Sequence, residues 1–109
     1  MLKNKDTYLV STFSLAMLFR EAQDLQLCPL RHTQARALAG VAKSAVRHEG
    51  MARVLGERLG IPVPVNYEPV KLDSGAQLLV GWYSGPPVSE YARSMPMDGR
   101  ITWWLISRR

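Results

Sequence analysis

Residues 33–60 read TQARALAGVAKSAVRHEGMARVLGERLG, and the fold class turns on how this stretch divides. Ala35, Leu38, Ala42, Ala45 and Val46 recur at helical spacing, which predicts one helix from Thr33 to about Val46. Gly50 interrupts the pattern. Met51, Val54, Leu55 and Leu59 then resume it, and Gly60 stands where a helix C′ glycine belongs. Arg36, Lys43 and Arg47 fall at i, i+7 and i+11, a basic stripe if the helix is continuous. Two readings stay open for that stripe: a solvated helix surface, or a face for an anionic ligand.

Strand signals flank this helical block. On its N-terminal side Thr7–Phe13 (TYLVSTF) is uncharged and rich in aromatic and β-branched residues, as in a central strand. Ser14–Gln23 has helical composition, with Ser14 as a capping residue for a short helix or turn. Asp24–Leu30 alternates and reads as a second strand ended by Pro29. On the C-terminal side, residues 61–64 (IPVP) are an extended connector. Val65–Leu72 reads as an edge or bulged strand because it holds Pro69, and residues 73–75 as a turn. Gln77–Tyr83 and Ile101–Ser107 are strong strands. Between them, residues 84–99 hold three prolines and two glycines, a long irregular stretch of the kind that forms functional lids. The order predicts an α/β (α+β) single domain over 1–109, with a mixed five-stranded sheet flanked by helices.

The chain has 109 residues, 47% of them apolar, and a net charge of +5. That composition excludes a disordered chain and favours an anionic partner such as a nucleotide or nucleic acid. No apolar run approaches the ~20 residues of a membrane span, so no membrane partner is expected. The lone Cys28 excludes an internal disulfide and is consistent with a reducing cytoplasmic location; its apolar neighbours make it a packed core residue. Trp82, Trp103 and Trp104 read as core or interface anchors. Consecutive Trp103 and Trp104 face opposite sides of a strand, so a second face must be covered, by a helix or by a partner subunit.

Candidate chemistry is sparse. His32, His48 and Cys28 lie at no metal-ligand spacing, so neither a metal nor a cofactor is expected. No phosphate-binding glycine loop occurs. Glu49 and Glu57 lie eight apart, against a glycosidase pair. His32 reads as a surface residue in a turn. His48 has two readings: a surface histidine beside Glu49, or a proton donor beside the phosphate-binding charge of Arg47.

The segment 44–60, SAVRHEGMARVLGERLG, resembles the viral ring nuclease family, the type III anti-CRISPR proteins of archaeal viruses. The family pattern there runs Ser-Ala-Val-Gly-His-Glu. The likeness continues, in order, through Val63-Pro64-Val65-Asn66-Tyr67, Val70-Lys71-Leu72 with Gly75, and Gly81–Tyr91, and upstream through Tyr8-Leu9 and Phe13-Ser14. It spans nearly the whole chain; each motif alone is weak, and their shared order makes the likeness specific.

The resemblance implies a two-fold homodimer that binds cyclic tetra-adenylate across its axis and cleaves it without metal. A ribose 2′-hydroxyl attacks the adjacent phosphate while His48, as general acid, protonates the departing 5′-oxygen. Ser11 and Ser14 would hold ribose or phosphate, Glu90 matches the loop glutamate, and residues 84–95 match the lid. Asn66 matches the family's asparagine. Two family arginines are missing: Pro87 and Tyr67 stand in their places, and Arg47 and Arg93 are the candidate replacements. The other readings are a non-catalytic protein of the same fold, which sequesters a cyclic nucleotide or blocks a CRISPR or other defence protein, and a small basic nucleic-acid binder. The second of these lacks any recognisable nucleic-acid-binding pattern.

Overall fold

The computed structural model describes residues 7–11, 25–67 and 76–108. Five strands and two helices follow in the order β1 (Thr7–Val10), β2 (Leu25–Leu30), α1 (His32–Ala39), β3 (Lys43–Ser44), α2 (Glu49–Leu59), β4 (Gln77–Ser84) and β5 (Arg100–Arg108). They form one mixed sheet in the order β2-β5-β4-β1-β3. β1 runs parallel to both β3 and β4, while β5 is antiparallel to β4 and β2. The expected α+β architecture is therefore present. The helix or turn expected at Ser14–Gln23 and the turn expected at residues 73–75 lie outside the described residues, as do residues 68–72 of the strand expected over Val65–Leu72; its described residues 65–67 belong to no strand.

The long helix expected over Thr33–Val46 is instead three elements. α1 stops at Ala39, and Lys43–Ser44 pair in parallel with Tyr8 and Leu9. The Ala45 amide extends that ladder to the Leu9 carbonyl at 2.8 Å. An alanine-rich stretch has the helical period, but here a partner strand far away in the sequence satisfies its backbone groups better than a further helical turn. Ala45 and Val46 are buried as expected, although from an extended chain. The basic stripe dissolves with the helix. Arg36 lies over Gly60 at the end of α2, Lys43 sits 5.9 Å from the Tyr8 ring centre, and Arg47 is exposed before α2.

α2 ends as its sequence predicts, with Gly60 left-handed at φ 71° and its amide bonded to the Gly56 carbonyl. Both helices pack on one face of the sheet. Ala35, Ala39, Ala52, Leu55 and Leu59 meet Leu9, Leu79 and Trp103 there. Residues of opposite parity, Val10, Leu78, Val80 and Ile106, form a second buried cluster on the other face, with Trp104 against it. Trp103 and Trp104 thus face opposite sides, as period two requires.

One burial expectation fails. Cys28 is exposed, because β2 is an edge strand; Pro29 is tolerated within it for the same reason and does not end it. Trp82 is half exposed because it points to the helix-free face of the sheet, beside Val80 and Trp104, where the reading as an interface anchor stays open.

Candidate functional site

β4, β1 and β3 are parallel neighbours, so their C-terminal ends open on one side, the usual ligand side of such sheets. Ser11 follows β1, Arg47 and His48 follow β3, and the 85–99 loop follows β4. The loop leaves and returns through a pinch. Gly85 has φ 142°, and a Cβ there would lie 2.8 Å from the Gly99 Cα. The Tyr83 hydroxyl donates to the Pro86 carbonyl and fixes the exit.

His48 is the N-cap of α2. Its backbone is extended (φ −113°, ψ 121°), and its Nδ1 accepts the Met51 amide at 3.0 Å. A histidine thus does what Ser, Thr, Asn or Asp usually does at this position. The contact also fixes the tautomer. With Nδ1 accepting, the proton of the neutral ring is on Nε2.

The loop packs directly on this turn. A Cβ at Gly50 would lie 1.8 Å from the Ser89 carbonyl oxygen and 3.1 Å from His48 Cε1. Helix, imidazole and loop backbone converge where residue 50 has no side chain. Gly50 is therefore not an interruption; it lies inside α2 and admits the loop. One turn on, Arg53 Nη1 donates to the Glu90 carbonyl at 2.7 Å and the Ala92 carbonyl at 3.3 Å, and its Nη2 stands 3.7 Å from Glu49. The Tyr67 hydroxyl donates to Glu49 Oε1 at 3.3 Å. Partial loss of hydration, then the Glu49 and Glu90 carboxylates, raise the Tyr67 phenol above its ordinary value.

Beside this corner lies a cavity of about 320 Å³, lined by Ser11, Met51, Trp82, Tyr83, Pro87 and Val88. The structure thus brings Ser11, His48 and Glu90 to the same end of the sheet, with Arg47 exposed beside His48 and Arg93 exposed on the loop. Asn66 has a backbone task. Its Nδ2 donates to the Ser44 carbonyl at 3.0 Å and its amide to the Val46 carbonyl at 2.8 Å, holding residues 62–67 alongside the exit from β3. The Ser44 hydroxyl reinforces this with a 2.5 Å bond to the Pro64 carbonyl. Ser14 lies outside the described residues. Sequence reading missed Glu49, Gly50 and Arg53 as members of the corner. The Glu49–Arg53 spacing of i, i+4 was the available signal. Among the described residues no three His, Cys, Asp or Glu side chains are grouped so as to hold a metal ion, and no helix is long and apolar enough to cross a membrane.

The fold has a counterpart among solved structures. B116 of Sulfolobus turreted icosahedral virus superposes with a TM-score of 0.73 over 94% of this chain and 99% of that one, at 15% identity. No family model matches the chain, and no curated protein matches it.

Proposed function

We propose that the chain is a metal-independent ring nuclease of viral origin that binds and cleaves cyclic tetra-adenylate as a homodimer. The observation that carries this reading is the position of His48. It stands at the C-terminal edge of the parallel strands, beneath a loop carrying Glu90, with its neutral proton assigned to Nε2 by the Met51 contact. The viral fold neighbour and the chain-long motif order support the same reading.

In the reaction a ribose 2′-hydroxyl attacks the adjacent phosphorus and the P–O5′ bond breaks. A 2′,3′-cyclic phosphate forms, and His48 gives a proton to the departing 5′-oxygen. In this reading Glu90 takes the proton of the attacking hydroxyl, and Ser11 holds a ribose. The cap imposes a condition on this chemistry. A neutral imidazole donates a hydrogen bond from Nε2, but it yields that proton readily only as imidazolium, with a proton on Nδ1 too. General-acid action by His48 therefore requires the Met51 amide to be released first. A two-fold dimer would also cover the exposed Leu27 and Trp82, which border an apolar groove on the helix-free face with Val80, Trp104 and Ile106.

One observation favours a second reading, a binder of the ring that does not cut it. Pro87 and Tyr67 bring no cation to the phosphate. Incubation with radiolabelled cyclic tetra-adenylate in EDTA decides. Linear products that vanish with His48→Ala support the nuclease. Binding without turnover selects the second reading, and absence of binding removes both.

A further inference from the structure

The 85–99 loop carries Glu90 and one wall of the cavity, so its position relative to α2 sets the geometry of the whole corner. Two independent contacts hold it there: the bare Cα of Gly50 against the Ser89 carbonyl, and the Arg53 guanidinium on the Glu90 and Ala92 carbonyls. Arg53 comes from α2 itself, whose inner face is buried through Val54, Leu55 and Leu59, so the guanidinium is mounted on a rigid element. Glu49, one turn earlier, orients it from the other side. The loop end is otherwise held mainly by its own short-range bonds, such as the Tyr91 amide to Ser89 Oγ at 3.1 Å and the Ala92 amide to the Ser89 carbonyl at 3.0 Å.

We infer that Arg53 is a positioning residue that clasps the 85–99 loop onto the first turns of α2 and so fixes the backbone at Glu90 beside the His48 turn. A planar guanidinium is suited to this, since one terminal nitrogen serves two carbonyls while the other faces a carboxylate. A lysine ammonium on a flexible stem can reach a carbonyl but cannot hold that arrangement as a rigid fork. The role in catalysis rests on the nuclease reading; the clasp itself does not.

The test uses the intact protein and the variants Arg53→Ala, Arg53→Lys and Gly50→Ala. Amide hydrogen exchange is read first, without ligand. In Arg53→Ala, exchange across residues 88–93 rises about tenfold or more, the effect of losing charge-assisted hydrogen bonds, while β4 and the rest of α2 keep their protection. Arg53→Lys restores part of it. Gly50→Ala, whose new methyl meets the Ser89 carbonyl, loosens the same loop from the other contact and keeps Arg53 intact. Exchange in 88–93 unchanged in Arg53→Ala overturns the clasp, whatever Gly50→Ala does. Kinetics follow. Arg53→Ala lowers kcat about tenfold or more with a smaller change in KM, and lysine recovers part of the loss. A rise in KM with kcat unchanged overturns the positioning role. A wild-type protein that cuts no ring defeats the nuclease reading, while the exchange result still decides the clasp.

Discussion

Replacing His48 separates two jobs that one ring performs. His48→Ala removes both the Met51 cap and the proposed acid. His48→Asn keeps a side-chain oxygen able to accept the Met51 amide and removes the acid alone. Loss of an N-cap costs about 1 kcal/mol, within a range of roughly 0.5–2. For a domain of this size that lowers Tm by about 4–8 °C per kcal/mol. Loss of a general acid slows turnover by roughly 10²–10⁴-fold. The two effects therefore appear in different measurements and sort differently between the variants. His48→Ala is less stable than wild type by about 1 kcal/mol, and His48→Asn lies within a few tenths of wild type. Both lose turnover by at least about a hundredfold.

Urea unfolding gives the stability arm, and single-turnover cleavage in EDTA gives the chemical arm. Cleavage by His48→Asn at a rate close to wild type refutes the acid assignment. Equal stability of the two variants refutes the cap as a source of helix stability. One result would refute the link between the jobs: full turnover in a protein whose Met51 amide stays bonded to His48 Nδ1 throughout the reaction. Proton delivery from the imidazolium needs that amide released, so a permanently capped imidazole should donate a hydrogen bond and cut poorly.

Pro87→Arg returns a guanidinium to the cavity wall. Turnover should rise at least about tenfold, the lower part of what a preorganised charge supplies, and an unchanged rate shows that this cation does not limit the site. Tyr67 should ionise late in an ultraviolet titration, and the delayed component should move earlier in Glu49→Gln and vanish in Tyr67→Phe. The fold raises this phenol's pKa, so the stability it contributes is complete below the unfolded value near 10 and is lost as pH climbs through the higher folded value. A titration indifferent to Glu49→Gln removes the electrostatic explanation.

The strands that read clearly are those with a strong local signal. Gln77–Tyr83 and Ile101–Ser107 are uncharged runs containing aromatic and β-branched residues, and Thr7–Val10 also lacks charge; all three are adjacent strands. Gly60 was legible because a left-handed C′ position is a local requirement. β3 was not legible. Lys43 and Ser44 are two residues in an alanine-rich run, and only their pairing with Tyr8 and Leu9 makes them a strand. Cys28 misled for a related reason, since its exposure depends on which strand is an edge. At the site His48 was found through its motif, but its cap was hidden: histidine is an uncommon N-cap. Gly50 looked like a break because the carbonyl that requires it lies 39 residues away, at Ser89.

Charge separates the cutting and sequestering readings more sharply than shape does. A net charge of +5 draws an anion toward the protein over about 8 Å at physiological salt, but this diffuse attraction does not stabilise one phosphorane. At the corner itself two carboxylates stand among the cations. Glu49 and Glu90 both act on Tyr67, and the guanidinium at hand, Arg53, is engaged with two loop carbonyls and Glu49. A phosphodiester placed against His48 meets those carboxylates at a cost of order 1–3 kcal/mol for a partly screened like charge a few ångströms away. That cost is useful only if a carboxylate takes part in the reaction. Glu90 does so if it accepts the proton of the attacking 2′-hydroxyl, because its charge then falls as the phosphorane charge grows. A protein that only sequesters the ring gains nothing from Glu90 and pays the repulsion in the bound state. Glu90 therefore weighs toward cutting, while Pro87 and Tyr67 in place of arginines weigh against a fast reaction, with the exposed Arg47 and Arg93 left to hold the phosphates.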